Sequence, residues 1–180
     1  MFICIETYHK FKFLDALLLL APLPKHGRDA HLIANVITTL LDHIGQEYDA
    51  FTPVTMELPE ESGIEPDYCF YIDHWQAVSG KERIDWRNDP PPDLVLEIDV
   101  TSYSDVNDYL PYQVPEVWLW RKNQLSVYGL QGTEYLNQAG SRYFPNIDVG
   151  MVISCCLQVA YDRNTSAAIR ELKQRLENRD

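Results

Sequence analysis

Apolar residues along this chain repeat at two different periods. Over residues 29–45 they recur at helical spacing, and Leu32, Ile33, Val36, Ile37, Leu40, Leu41 and Ile44 make one stripe. Asp29 is placed to cap the start of that helix and Gly45 to stop it. From residue 51 the period falls toward two. Residues 51–58 read as a strand, followed by an acid-rich turn over 59–63. IEPDYCFYI, residues 64–72, reads as a second strand, with Pro66 marking an edge or an irregular start. Residues 73–88 are polar and loop-like, with Trp75 and Trp86 as packing anchors. A strand over 93–100 and one or two helical turns over 102–112 come next. VWLWRK and QLSVYGL then predict a hairpin over 116–122 and 124–130 turning at Asn123, and 135–143 adds a further strand. The tail, 164–180, is helical, with Ala168, Leu172 and Leu176 on its apolar side. This order predicts a mixed α/β (α+β) fold rather than a regular βαβ array.

The strand PPPDLVLEIDVT stands apart. Asp93, Glu97 and Asp99 all leave one face of it, while Leu94, Leu96 and Ile98 leave the other. Acids on an interior strand call for a cationic partner, and a divalent metal that cleaves phosphodiesters is one such partner. Asp93 and Glu97 lie ~13 Å apart on an extended strand, too far to share a small ion, whereas Glu97 and Asp99 at ~6.6 Å can converge on one. Asp67 is the best carboxylate from a neighbouring strand, with Glu65 two residues earlier. Asp93 then caps the strand entry after the prolines. The competing reading makes these acids turn-capping and surface groups at a strand end.

Composition changes the picture only in part. The chain has 180 residues, and 46% of them are hydrophobic, enough for one domain spanning 1–180 with its own core. A net charge of −12 argues against broad, charge-driven binding to nucleic acid and leaves room for a local or metal-bridged phosphate contact. Cys4, Cys69, Cys155 and Cys156 have no chelating spacing. On a strand the last two point to opposite faces, so all four read as reduced thiols of a cytoplasmic protein. The apolar run over residues 16–23 is too short for a membrane span and lacks a clean cleavage site. It reads as a strand or helix of the domain, or as sequence before the true start. His31 reads as a satisfied, partly buried histidine, and Trp118 and Trp120 as core rather than a base-stacking platform. Arg163, Arg170, Lys173, Arg175 and Arg179 tint the tail helix basic, but Glu171 and Glu177 between them mark a solvated face. No nucleophile elbow, P-loop or dinucleotide fingerprint occurs.

Four passages together resemble the bacterial family of putative restriction endonucleases in the PD-(D/E)XK nuclease superfamily: the helix containing His31, GIEPDYCFYI, PPPDLVLEIDVTS and VPEVWLW. The resemblance covers roughly residues 22–135 and leaves 1–24 poorly matched. It implies a restriction-endonuclease-like central mixed β-sheet flanked by helices, often assembled as a homodimer. It also implies metal-dependent cleavage of DNA. By that resemblance Asp67 is the strand-borne aspartate, Glu97 the first acid of the (D/E)XK motif, and Asp99 an assisting group. All three would be catalytic and would bind Mg2+ or Mn2+.

One departure is plain. Where the motif has its lysine, this chain has Asp99, and no lysine occurs between Lys81 and Lys122. In the superfamily that lysine helps position the attacking water and offsets transition-state charge. Arg83, Arg87 and Lys122 are the candidate substitutes. Two functions therefore stay open: a DNA endonuclease with weak affinity for its substrate, and a non-catalytic dimeric binding module that keeps the fold. A cation within reach of Glu97 would favour the first.

Overall fold

The computed structural model describes residues 23–59, 63–100 and 104–178. Helix α1 runs Pro24–His43, five residues earlier at its start than the pattern suggested. Pro24 explains the shift, because its missing N–H and fixed φ suit a first helical turn. Asp29 is therefore not a cap. It lies fully buried inside α1, where Lys25 Nζ at 2.5 Å and the Tyr161 hydroxyl at 2.7 Å donate to it. The helix ends as expected, with Gly45 at φ 69° and Gln46 N donating to Leu41 O at 2.9 Å.

Six strands follow in one sheet: β1 Asp49–Phe51, β2 Tyr68–Tyr71, β3 Leu94–Asp99, β4 Glu116–Arg121, β5 Gln124–Gln131 and β6 Glu134–Gln138. They lie side by side in chain order, antiparallel throughout except for the parallel pair β3–β4. A 3₁₀ helix, Val106–Tyr112, sits in the crossover between those two. A short helix α2, Trp75–Val78, follows β2. The strand expected over 51–58 shrinks to β1 plus an isolated Met56–Ile64 bridge, because Pro53 cannot donate to a ladder. The expected hairpin forms, its turn made by Lys122 and Asn123 at φ 52° and 60°, the left-handed pair that matches strand twist.

Helices α3, Val149–Asp162, and α4, Thr165–Glu177, close the chain. No periodicity argument anticipated α3, and Cys155 and Cys156 lie on it rather than on a strand. Val149, Val152, Ile153, Val159 and Gly150 are weak helix formers. Burial of Val149, Ile153, Cys156, Leu157 and Ala160 on one helical face, with Asp148 capping Met151 N at 2.9 Å, outweighs that propensity. The thiols of Cys69, Cys155 and Cys156 are free, as expected; Cys4 lies outside the described residues.

The sheet is covered on both faces. Leu94, Leu96, Ile98, Trp118, Trp120, Phe70 and Ile72 pack against α1, α3 and α4. On the opposite face Val95, Val117, Leu119 and Cys69 meet Tyr109, Tyr112, Met56 and Tyr135. Trp118 and Trp120 are thus core. Trp118 Nε1 donates to Glu116 Oε1 at 2.6 Å, and its ring stands edge-on to Phe144. Every residue of β3 is buried, including its acids. No helix among the described residues is long and apolar enough to cross a membrane.

Candidate active site

The β2–β3 register pairs Tyr68 with Leu96, and continued by one residue it would set Asp67, in the bend before β2, opposite Glu97. Asp67 closes the ladder itself, its Oδ2 accepting from Ile98 N at 2.8 Å. Its Oδ1 lies 3.3 Å from His26 Nε2, carried on the first turn of α1. The hydrogen bond His26 donates to Asp67 raises the His26 pKa above its ordinary value against the opposing effect of burial, with the charges of Asp67 and Asp29 adding to the rise.

A pH dependence follows. Because the folded pKa is raised, the pair contributes its full stability below the unfolded imidazole value of about 6.5 and loses it as pH climbs through the folded value. In metal-free buffer, His26→Gln should therefore cost more thermal stability at about pH 5.5 than at about pH 8.5. Equal losses at both pH values would mean that the pair stabilises nothing.

Glu97 is 7% exposed, and the Tyr109 hydroxyl donates to its Oε1. Burial, reinforced by the Glu97 charge, pushes the Tyr109 pKa far up, so the phenol stays a donor at any physiological pH. The same two causes push up the Cys69 thiol, which leaves it unreactive and a poor ligand.

Asp99 is not brought to this pair. In the parallel register it faces Arg121, and its Oδ2 accepts from Arg121 Nε at 2.9 Å and Nη2 at 2.5 Å. Ser104 N at 3.1 Å and Ser104 Oγ at 3.0 Å donate to Oδ1. Arg121 Nη2 also donates to Ser104 O at 2.8 Å, which ties the strand tip to the crossover. The cation paired at the motif's lysine position is therefore Arg121, none of the three candidates Arg83, Arg87 and Lys122. Asp93 is structural as well, but it caps the exit of β2 rather than its own strand: Ile72, Asp73 and His74 N–H groups all donate to it. His31 is exposed rather than partly buried, and its Nε2 lies 2.9 Å from Asn35 Nδ2.

Sequence reasoning missed His26, Tyr109 and Arg121 near the acids, and also Glu116. Glu116, 1% exposed, accepts from Trp118 Nε1, Ser141 Oγ and Arg142 N and fastens the segment after β6. Only the alternation of Glu116 with the two tryptophans could have signalled an inward-pointing acid.

A pair of carboxylates suits a hard divalent cation, since magnesium typically takes one or two protein carboxylates and completes its shell with water and phosphate. Asp67 and Glu97 are carboxylates of that kind, Asp67 held by Ile98 N and His26 and Glu97 by the Tyr109 hydroxyl, whereas Asp99 is neutralised by the Arg121 guanidinium. Among the described residues no three His, Cys, Asp or Glu side chains group to hold a metal ion.

A family described as "Putative restriction endonuclease" (Uma2) matches residues 4–159. Among solved structures, the crystal structure of a putative nuclease belonging to DUF820 from Anabaena variabilis ATCC 29413 shares 16% identity and covers 77% of this chain and 82% of its own, with a TM-score of 0.45. None of the curated proteins matches.

Proposed function

The chain belongs to the family described as "Putative restriction endonuclease", and on that premise we propose that it hydrolyses DNA phosphodiesters at the Asp67–Glu97 pair. The observation that supports the proposal is the β2–β3 register, which, continued by one residue past Tyr68 and Leu96, would bring Asp67 opposite Glu97, with Asp67 held on Ile98 N. Magnesium or manganese would be held by Asp67 and Glu97 and would supply Lewis acidity toward a phosphate oxygen and toward water. The chain's own residues do the positioning. Ile98 N fixes Asp67, and Tyr109 fixes Glu97 and remains protonated while doing so. His26 holds Asp67 in ion pairing until a stronger cation competes for it. Arg121 neutralises Asp99, so the tip of β3 presents one fewer negative charge to an incoming phosphate. With a net charge of −12, affinity for DNA is weak and falls steeply with salt. The free thiols fit a reducing, cytoplasmic setting.

A second reading has a specific observation in its favour: an aspartate stands at the lysine position and is already neutralised within the fold. On that reading the domain binds but does not cleave. Calorimetry with magnesium and manganese, paired with supercoiled plasmid nicking, separates the two for the wild type, Asp67→Asn and Glu97→Gln. The nuclease reading expects metal binding and nicking in the wild type, with nicking reduced about a hundredfold or more in each variant. Metal binding without nicking would favour the binding module, and no metal binding in the wild type would defeat the metal assignment.

A further inference from the structure

Next to its acidic pair this acidic chain gathers cations. Lys25, His26 and Arg28 lie on the first two turns of α1, and His26 is the residue that reaches Asp67. Lys25 Nζ lies 3.4 Å from Asn123 Oδ1, so the opening of α1 abuts the β4–β5 turn, whose other residue is Lys122. That turn directly follows Arg121, the partner of Asp99 at the tip of β3. Lys25, Arg28 and Lys122 are all exposed, and these contacts bring them to the end of the sheet that carries the acids.

The fold also holds these charges together. Lys25 and Arg28, three residues apart, share one face of α1. Both cations sit over the same Tyr161 ring, at 5.5 Å and 5.0 Å from its centroid. The ring is fixed in turn, its hydroxyl donating to buried Asp29 at 2.7 Å. Two like charges beside one ring repel, and Asp29, which accepts from Lys25, offsets only one of them. Among the described residues neither Arg28 nor Lys122 has an ion-pair partner. A surplus of positive charge kept beside acids, on a chain of net charge −12, makes a local site for anions. Lysine and arginine both take phosphate oxygens, and three cations set apart along one edge suit a repeating charge better than a single ion.

We propose that Lys25, Arg28 and Lys122 form a track for the phosphate backbone of DNA, which holds the strand alongside Asp67 and Glu97. The inference rests on the nuclease reading for DNA as the ligand and adds the residues that grip it.

Fluorescence anisotropy of a short labelled DNA duplex, titrated with the full chain in EDTA over a series of salt concentrations, tests it. The variants are Arg28→Gln and Lys122→Asn, the asparagine chosen because it tolerates the left-handed backbone at φ 52°. Lys25 stays in place, since its removal would strand the buried Asp29 charge. Each variant should flatten the slope of log affinity against log salt by about 0.9, and Arg28→Lys should restore it. Lys173→Gln, which removes an exposed cation from α4, should leave the slope unchanged. Slopes unmoved by Arg28→Gln and Lys122→Asn would overturn the proposal, as would a wild type that binds no duplex at low salt. A loss as large in Lys173→Gln would make net charge the cause and overturn it too. No cleavage enters this measurement, so the track and the nuclease reading fail separately. A Lys122-dependent slope in a protein that never nicks plasmid keeps the track and defeats the cleavage.

Discussion

Asp93→Ala should lower unfolding stability by roughly 3 kcal/mol, read from urea midpoints at an unchanged m-value. The side chain is 1% exposed, and one oxygen, Oδ2, accepts from three consecutive backbone N–H groups, Ile72 at 2.7 Å, Asp73 at 2.9 Å and His74 at 3.0 Å. The other, Oδ1, lies 2.6 Å from His74 Nδ1. Hydrogen bonds to a charged acceptor contribute about 1.5–3 kcal/mol each, but the loss is less than their sum. Asp73 and His74 are exposed and their N–H groups can turn to water, whereas Ile72 at 2% exposure cannot. Asn in place of Asp keeps the shape and the acceptor and gives up the charge, so Asp93→Asn should fall about midway. Against a total stability of about 5–15 kcal/mol the alanine change is severe. A loss under about 1 kcal/mol would mean that the turn out of β2 holds without its cap.

Arg121→Met should cost about as much, roughly 3 kcal/mol, and should cost more than Asp99→Asn. The asymmetry comes from exposure. The Asp99 side chain is 2% exposed and that of Arg121 35%, so an abandoned arginine can reach water while an abandoned aspartate cannot. Ser104 N and Oγ still donate to Asp99 after the change, which keeps the loss below that of a wholly stranded charge. Adding Asp99→Asn to Arg121→Met should restore most of the loss. A double-mutant cycle in which the two changes simply add would show that the pair is not a unit.

Much of this arrangement could be read from the residues. Alternation along PPPDLVLEIDVT fixed which side chains share a face, and helical spacing found α1. Asp67 was paired with Glu97 as the best carboxylate from a neighbouring strand and by the family resemblance, and β2 does run beside β3. Alternation does not say which neighbouring strand a side chain engages. Asp99 leaves the same face as Glu97 but finds Arg121 across the parallel pair, and only strand order could have told that. The face that bears the acids also lacked a visible cover, because Tyr109 and Tyr112 reach it from a short 3₁₀ helix with no strong periodicity. Helix α3 stayed hidden for a related reason: its residues favour strands, and only the sheet beneath makes a helix the better choice.

The sheet's chain-order pairing bears on how the protein is made. Each strand, once synthesised, finds its predecessor already waiting, so the six-stranded layer can grow edge by edge from β1 without a distant partner. The two helices that seal much of its apolar face come last, after residue 148. At ordinary synthesis rates of about 5–20 residues per second, those final helices lag the finished sheet by some seconds. Through that interval Trp118, Phe70 and their neighbours are covered by α1 and by Phe144 only. The nascent chain is then at its stickiest, and a net charge of −12 opposes contact with a neighbouring copy.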